Sequence, residues 1–268
     1  MQRQPLVTLT TDFGLSDHFV GTMKGVMLRI NPLVHFADIT HQVAPQDIFD
    51  GALALSLAYP YFPKDAIHLV IVDPGVGSSR RPLIVRARGG LFVAPDNGVL
   101  SFVYEREGNA EAWHVTQDRF FLKPVSNTFH GRDVFAPVAA WLSKGIEPAE
   151  FGEPVSDYVR FAIPKPKVLK DGSLLAEVIK VDQFGNLFTN VSVMEAPELF
   201  APKPPSFRLV INQQEITSLH SSYSMGKPGE FFAIAGSSGF LEVGQNRASA
   251  AKGLVAGKGT QVVISWIP

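Results

Sequence analysis

The sequence contains no cysteine. Disulfide bonds and thiolate metal sites are therefore excluded, and a metal ion would need histidine and carboxylate ligands. The histidines do not form an HExxH motif or a similar spacing, so we expect no metal site. A chain without cysteine also suits the reducing cytoplasm, which is the location that we expect.

Neither a strong net charge nor a long apolar run is present. The 24 Lys and Arg residues nearly balance the 25 Asp and Glu residues, which gives a net charge of −1. Because nucleic-acid-binding proteins usually carry a basic face, we expect no nucleic-acid partner. No apolar run is long enough to span a bilayer, and residues 1–5 lack the apolar segment of a signal peptide. We therefore expect no membrane partner.

Several common catalytic motifs are also missing. The chain has no nucleophile elbow of the form G-x-S-x-G and no P-loop. Gly75 and Gly77 begin like a dinucleotide-binding fingerprint, but the third glycine is absent, so we exclude this motif.

Residues 1–163 alternate between strand and helix patterns. Runs rich in β-branched and aliphatic residues at 6–10, 34–39 and 68–72 are separated by helical spacing at 20–30 and 47–59. This alternation predicts an α/β domain with a central, mostly parallel sheet. Two further runs around Gly89 and Gly90 predict a hairpin, and a later helix is predicted over 133–142.

The pattern changes after a linker at 161–167 that contains two prolines and two lysines. From residue 168 to residue 268 the chain shows short strand patterns separated by Gly, Asn and Pro, with no long helical pattern. We therefore predict a second, small all-β domain, either barrel-like or a sandwich.

Three polar side chains follow strands or precede a helix in the first domain. Asp12 and Asp73 each end a predicted strand with glycine close behind, and His130 lies just before a helix. Because ligands bind at the carboxyl edge of such sheets, these groups, together with Arg80 or Arg81, could orient and deprotonate a water molecule. A tight turn with a surface salt bridge explains the stretch around Asp73 equally well.

In the second domain, polar groups also cluster at glycine turns. Residues 181–186 read most simply as a hairpin turn, and residues 236–243 and 245–248 are either turns or the rim of a polar pocket. Composition and spacing alone predict a two-domain protein with a polar small-molecule site, and they do not identify the ligand.

Six motifs together resemble one family. They are TTDFG at 10–14, HQVAPQDI at 41–48, VDPGVG at 72–77, PDNG at 95–98, FHGRD at 129–133 and FGN at 184–186. They are similar to those of the S-adenosyl-L-methionine hydroxide adenosyltransferases, relatives of the adenosyl-fluoride and adenosyl-chloride synthases. The resemblance runs from Val7 to about Ala250.

The resemblance implies hydrolysis of S-adenosylmethionine to adenosine and L-methionine by attack of water or hydroxide at the ribose C5′. The family's water-activating set matches Asp73, Arg80 and His130; Arg81 is a rival to Arg80, but the family spacing of seven residues from the aspartate favours Arg80. It further implies a homotrimer with sites between subunits and no cofactor, since S-adenosylmethionine is the substrate. The implied substrate-binding residues are Asp12, Asp182, Phe184, Asn186, Tyr223, Ser237 and Glu242.

Two alternatives remain beside the hydrolase. An adenosyl halogenase would need a small, dry, uncharged pocket for chloride, and Asp73 with His130 is unfavourable for one. A sensor would bind adenosine or S-adenosylmethionine without turnover, although all three presumed catalytic residues are retained. A Rossmann methyltransferase is disfavoured because the chain has no glycine-rich first loop.

Overall fold

The computed structural model describes residues 4–267. The chain divides into two compact units, Met1–Ile163 and Pro164–Pro268, which are described separately below. Within residues 4–267 no helix has both the length and the apolar character needed to cross a membrane.

The first unit is an α/β domain, as predicted. Its described part contains the following elements in chain order: β1 (Leu6–Thr11), α1 (Phe19–Ile30), β2 (His35–Thr40), α2 (Ile48–Ala58), β3 (Ile67–Ile71), β4 (Pro82–Ala87), β5 (Gly90–Pro95), α3 (Ser101–Glu107), β6 (Glu111–His114), α4 (Ala136–Leu142) and β7 (Pro154–Val155).

The strands of this unit form one sheet in the order β2-β1-β3-β5-β4-β6-β7. Strands β2, β1, β3 and β5 pair in parallel, which confirms the predicted parallel centre. Strands β4, β6 and β7 add antiparallel pairs at one side, and β4 and β5 form the hairpin predicted around Gly89 and Gly90. The parallel strands therefore deliver their carboxyl ends to one edge.

Helices cover both faces of this sheet. In β3, Leu69 contributes to a core packed by α1 and α4, whereas Val70 contributes to a core packed by α2 and α3. Successive side chains of a strand point to opposite faces, so a strand buried on both sides is apolar throughout. This explains why β3 is apolar apart from the buried His68.

The helix predicted to begin at Asp133 begins earlier and differently. A π-helical turn spans Gly131–Phe135, and α4 continues from Ala136. The prediction was wrong about this start because apolar spacing does not distinguish an i→i+5 turn from an α-helix. Short antiparallel strands such as β6 were also not predicted, since their pairing with β4 depends on tertiary contacts.

The second unit is all-β apart from short helical turns. Its described strands are β8 (Lys167–Val168), β9 (Leu174–Val181), β10 (Leu187–Ser192), β11 (Phe207–Ile211), β12 (Gln214–Ile216), β13 (Leu219–His220), β14 (Phe231–Ala235), β15 (Phe240–Gln245) and β16 (Gln261–Trp266), with one short helix, α5 (Ala250–Gly253).

These strands form a single sheet in the order β12-β11-β16-β9-β10-β15-β14-β13, with β8 added beside β9. The sheet curls into a half-barrel, so the barrel-like prediction is confirmed and the sandwich alternative was wrong. One apolar core lines it, including Leu187, Leu209 and Ile264, all fully buried. The two-sheet alternative failed because alternating short strands look alike in sequence whether one sheet curls or two sheets stack.

Candidate active site

The strand order places a crevice between β1 and β3. The chain leaves β1 through α1 to β2 on one side, whereas β3 lies on the other side of β1. Such a change of direction opens a ligand site at the carboxyl ends of the strands. Thr11 pairs with Ile71 in register. Asp12 directly follows Thr11, and Asp73 follows Ile71 after one intervening residue. Both carboxylates therefore lie at the mouth of the crevice.

Asp73, Arg80 and His130 are joined by hydrogen bonds. Arg80 Nε donates to both Asp73 carboxylate oxygens at 2.9 Å, and Arg80 Nη2 contacts Oδ2 at 2.5 Å. The same Nη2 lies 2.8 Å from His130 Nδ1. The side chains of Arg80 and Asp73 are only 9% and 4% exposed. The guanidinium thus forms a buried bridge between the carboxylate and the imidazole.

The loop that carries Arg80 is shaped by a glycine. Gly77 has a φ of +79°, and a Cβ atom at this position would collide with the Asn127 carbonyl oxygen. Ser78 Oγ donates to the Gly75 carbonyl oxygen at 2.6 Å and accepts from the Arg80 N–H at 3.2 Å. These contacts hold the turn close to the segment that precedes His130, which brings Arg80 within reach of the imidazole.

The bond with Arg80 fixes the tautomer of His130. A guanidinium only donates, so His130 Nδ1 must be the acceptor and Nε2 must carry the proton of the neutral ring. Burial and the neighbouring Arg80 cation lower the pKa of His130, against a smaller opposing effect of Asp73. The imidazole is therefore neutral in the site at physiological pH.

Asp12 lies at the end of β1 and is half-buried. Its Oδ2 accepts the backbone N–H of Gln46 at 2.8 Å, a residue with a φ of +64°. Behind it, Thr11 Oγ1 lies 2.9 Å from Nδ1 of the buried His41. The carboxylate is thus held from the backbone side, and Oδ1 makes no hydrogen bond with the described residues.

Arg81 belongs to a different cluster. Its Nε donates to Asp96 Oδ2 at 2.8 Å, and its Nη1 donates to Asp157 Oδ1 at 2.8 Å. These two carboxylates raise the pKa of the guanidinium. The family spacing favoured Arg80 over its rival Arg81, and the structure joins Arg80 to Asp73 and His130.

In the second unit, Asp182 organises the β9–β10 hairpin. Its Oδ1 accepts the backbone N–H groups of Phe184 and Asn186 at 2.8 and 2.9 Å, and its Oδ2 accepts from Asn186 Nδ2 at 2.9 Å. Gly185 has a φ of +86°, and a Cβ there would strike Ser249. The turn reading of this motif is therefore correct in structural terms, and the turn leaves the Phe184 ring 70% exposed.

Phe184, Asn186 and Tyr223 line an open cavity of about 580 Å³ within the second unit. Four further residues line its wall: Gln245, Arg247, Ala248 and Ser249. The first three lie in the 245–248 segment, which the sequence analysis gave as either a turn or the rim of a polar pocket, whereas Ser249 was not predicted. The size of the cavity suits a small organic ligand, and its aromatic walls suit a flat ring.

Glu242 lies beside this cavity and is 2% exposed. Tyr223 donates its hydroxyl to Glu242 Oε2 at 2.5 Å, and Ser238 Oγ contacts Oε1 at 3.2 Å. Burial raises the pKa of Glu242, and burial together with the Glu242 carboxylate raises the pKa of Tyr223. Ser237, which the resemblance implicated, is exposed, and its neighbour Ser238 is the serine that contacts Glu242.

Among residues 4–267, no group of three or more histidine and acidic side chains is arranged to hold a metal ion.

Comparison with protein families assigns both units. Residues 7–152 match the model of the SAM hydroxide adenosyltransferase N-terminal domain, and residues 176–263 match that of the C-terminal domain. The (R)-S-adenosyl-L-methionine hydrolase of Salinispora tropica is 40% identical over 254 residues, which cover 94% of each chain. A fluorinase of Actinoplanes sp. is 27% identical and covers 91% of this chain and 92% of its own.

The fold is likewise similar to a solved structure. The crystal structure of a conserved protein from Thermotoga maritima superimposes with a TM-score of 0.89 at 35% identity, covering 97% of this chain and 99% of the other.

Proposed function

The chain belongs to the SAM hydroxide adenosyltransferase family, and on that premise we propose that it hydrolyses S-adenosyl-L-methionine to adenosine and L-methionine. The observation that carries the proposal is the buried Asp73–Arg80–His130 bridge at the mouth of the β1–β3 crevice. Such a set binds and polarises a water molecule next to a substrate held at the carboxyl ends of the strands.

The reaction is a displacement at carbon. The water oxygen forms a bond to the ribose C5′ while the C5′–S bond breaks. The electron pair of the C5′–S bond goes to sulfur, which gives the neutral thioether of methionine. Asp73 takes the proton, since its Oδ1 accepts only one hydrogen bond, from Arg80. Arg80 stabilises the developing hydroxide, and His130 orients Arg80. Because a sulfonium leaves readily, positioning of the nucleophile dominates the rate.

The same residues argue against a halide as nucleophile. Chloride is stabilised by neutral donors in a dry pocket, whereas the carboxylate of Asp73 would repel it. The carboxylate instead offers a proton acceptor that water needs and a halide does not. We therefore place the chain with the hydrolases of its family rather than with the halogenases.

For the substrate we propose two sets of contacts. Asp12 accepts the ribose hydroxyls through its free Oδ1, while Gln46 holds Oδ2. Phe184 and Tyr223 stack on the adenine in the cavity of the second unit, with Glu242 beneath Tyr223. Asp182, Asn186 and Ser237 hold the remaining polar parts of the substrate.

We propose a homotrimer in which the second unit of one subunit completes the site of its neighbour. In support, Phe184 and Tyr223 remain 70% and 43% exposed, as expected of rings that a ligand and a partner cover. Light scattering tests this, because a monomer with full turnover would contradict a shared site. The reaction needs no cofactor and no nucleic-acid partner, and the absence of cysteine suits a cytoplasmic location.

The decisive experiment is incubation of the purified protein with S-adenosylmethionine in chloride-free ¹⁸O-water, using the (R) and (S) sulfonium epimers separately. We expect methionine and adenosine labelled at its 5′ oxygen, formed about 10²–10⁴-fold more slowly by Asp73→Asn. Adenosine that binds in calorimetry while both epimers stay intact would favour the sensor. Formation of 5′-chloroadenosine after addition of chloride would favour the halogenase.

A further inference from the structure

The PDNG motif at residues 95–98 takes no part in the proposed substrate contacts. Two of its residues, Asp96 and Asn97, hydrogen-bond to the two ends of the segment 72–81. This segment joins β3 to β4 and carries the carboxylate and the guanidinium of the buried bridge, so we call it the bridge loop. The motif therefore holds both ends of the loop on which the proposed chemistry depends.

Asn97 binds the start of the bridge loop. The parallel pairing of β3 with β5 ends at Leu69 and Val93. Further along, Asn97 Nδ2 donates to the carbonyl oxygen of Val72 at 2.8 Å. This carbonyl belongs to the planar peptide unit that leads into Asp73, so the bond fixes the backbone from which the carboxylate projects.

The amide of Asn97 has only one favourable orientation. Its Oδ1 accepts the backbone N–H of Val99 at 3.1 Å, a turn contact two residues along the chain. An exchange of the amide oxygen and nitrogen would bring two acceptors together at Val72 and two donors together at Val99. Asn97 therefore forms a local turn with one amide atom and anchors the bridge loop with the other.

Asp96 binds the end of the bridge loop. Its backbone N–H donates to the carbonyl oxygen of Arg81 at 2.8 Å, and its Oδ2 accepts from Arg81 Nε at 2.8 Å. The carboxylate is 8% exposed, and its Oδ1 accepts the backbone N–H of Val159 at 2.8 Å. Because Arg81 directly follows Arg80, adjacent residues of one motif fix the backbone beside each of the two bridge residues.

We propose that Asn97 is a positioning residue for hydrolysis, because it anchors the Val72 peptide from which Asp73 extends. With Asp96 at the other end of the loop, this anchor keeps the Asp73 carboxylate aligned on Arg80 and on the attacking water. The kinetic consequence rests on the proposed function. The structural consequence, the rigidity of the bridge loop, does not depend on the substrate.

The chain contains a matched control in Asn31. Its Oδ1 accepts the backbone N–H of Leu33 at 3.1 Å, and its Nδ2 donates to the carbonyl oxygen of Ser143 at 3.3 Å and to Ser143 Oγ at 2.9 Å. Asn31 follows α1, which leads from the carboxyl end of β1 to the amino end of β2, so it lies at the sheet edge opposite the bridge. Asn31→Ala and Asn97→Ala thus remove the same two kinds of contact.

The kinetic test compares these two variants with S-adenosylmethionine as the substrate. Asn97→Ala should lower kcat about tenfold or more while KM and the affinity for adenosine change less than about twofold, because the nucleophile loses its alignment and the substrate contacts remain. Asn31→Ala should keep kcat within about twofold at a similar loss of thermal stability. Wild-type kcat in Asn97→Ala, or an equal loss in both variants, would overturn the proposal.

Asn97→Asp separates the two contacts of the amide. Its carboxylate still accepts the Val99 N–H, but it has no hydrogen to donate to Val72. We expect kcat to fall at least as far as in Asn97→Ala, which controls for the added charge because alanine is neutral. Wild-type kcat in Asn97→Asp would assign Asn97 to the local turn alone. This variant also provides the test if Asn97→Ala does not fold, since it keeps the turn.

The substrate-independent test is hydrogen–deuterium exchange, measured by mass spectrometry on peptides that cover residues 72–81. The backbone N–H groups of Val76 and Ser78 donate to carbonyl oxygens within the bridge loop at 3.2 and 3.0 Å. Both Asn97 variants should exchange these amides about threefold faster or more, because the loop opens more often without its anchor. Asn31→Ala should leave their exchange unchanged.

Unchanged exchange in the bridge loop of the Asn97 variants would refute the anchor, even if the wild type hydrolyses nothing. Faster exchange in variants of an active wild type that keep full kcat would refute the positioning role. Faster exchange together with an inactive wild type would support the anchor and reject the proposed function instead.

Discussion

Replacement of Asp73 by asparagine tests the bridge most directly. The substitution keeps the size of the side chain but removes the charge that faces Arg80. In the folded protein the Asp73 side chain is 4% exposed and that of Arg80 is 9% exposed, and the two share three contacts of 2.5 to 2.9 Å. The guanidinium cannot lose its proton, so the variant buries an uncompensated cation.

The magnitude follows from this burial. Breaking a buried ion pair by removing one partner costs about 3–5 kcal/mol, whereas an exposed pair contributes about 0–1 kcal/mol. The exposed pair of Lys123 with Asp118, whose side chains are 55% and 72% exposed, provides the comparison. We therefore expect Asp73→Asn to lower the free energy of unfolding by about 3 kcal/mol or more, and Asp118→Asn by less than about 1 kcal/mol.

Urea denaturation followed by tryptophan fluorescence measures both variants, and turnover is measured under conditions where each is folded. Loss of a proton acceptor should lower kcat by about 10²–10⁴-fold in Asp73→Asn. The reasoning would be refuted if Asp73→Asn unfolded at the same urea concentration as wild type, or if the folded variant retained wild-type turnover. The first result would deny a buried pair, and the second would remove Asp73 from the chemistry.

Three further predictions concern stability. Burial lowers the pKa of His68 from 6.5 to about 4. Between these pH values the unfolded chain binds a proton at His68 and the folded chain does not. The free energy of unfolding should therefore fall by about 3 kcal/mol as the pH drops through this window. His68→Phe, measured by urea denaturation at several pH values, should flatten this dependence; an equally steep curve would contradict the assignment. Burial raises the pKa of Glu242. The protonated carboxyl group therefore contributes fully to the free energy of unfolding below about pH 4.5, and this contribution is lost as the pH rises through the pKa of Glu242 in the folded protein. Glu242→Gln should become more stable relative to wild type with increasing pH, and a stability difference that does not change with pH would contradict this. Gly77→Ala should destabilise the protein by about 1–2 kcal/mol because of its left-handed backbone, and by more because of the clash with Asn127; it should also slow turnover. The control is Gly145→Ala, where φ is +86° and the surrounding space is open, so thermal unfolding should show only the backbone cost.

Much of the first domain could be predicted from local pattern. The run from His68 to Val72, which is apolar after His68, indicated a buried strand, and the strands and helices alternated at the spacing of an α/β sheet. Asp12 and Asp73 were found because a carboxylate after a strand reaches the carboxyl edge wherever parallel strands pair. The motifs, by resemblance, indicated the family.

Other features escaped this reasoning. The π-helical turn that carries Asp133 has the apolar spacing of an ordinary helix, so its start was misplaced. The contact of Ser238 with Glu242, rather than of Ser237, depends on the shape of a four-residue turn. Ser249 in the wall of the second cavity was not predicted, since a serine beside a polar turn is common.

The sequence by itself determined the order and type of the main elements and the residues that could carry chemistry. Periodicity records which side of each segment is buried, and this is a local property. Only the tertiary structure showed that Arg80 contacts His130, fifty positions away in the chain, and that the imidazole accepts at Nδ1. Such pairings depend on how the β1–β3 edge and the π-helical turn approach each other in space, which no local pattern encodes.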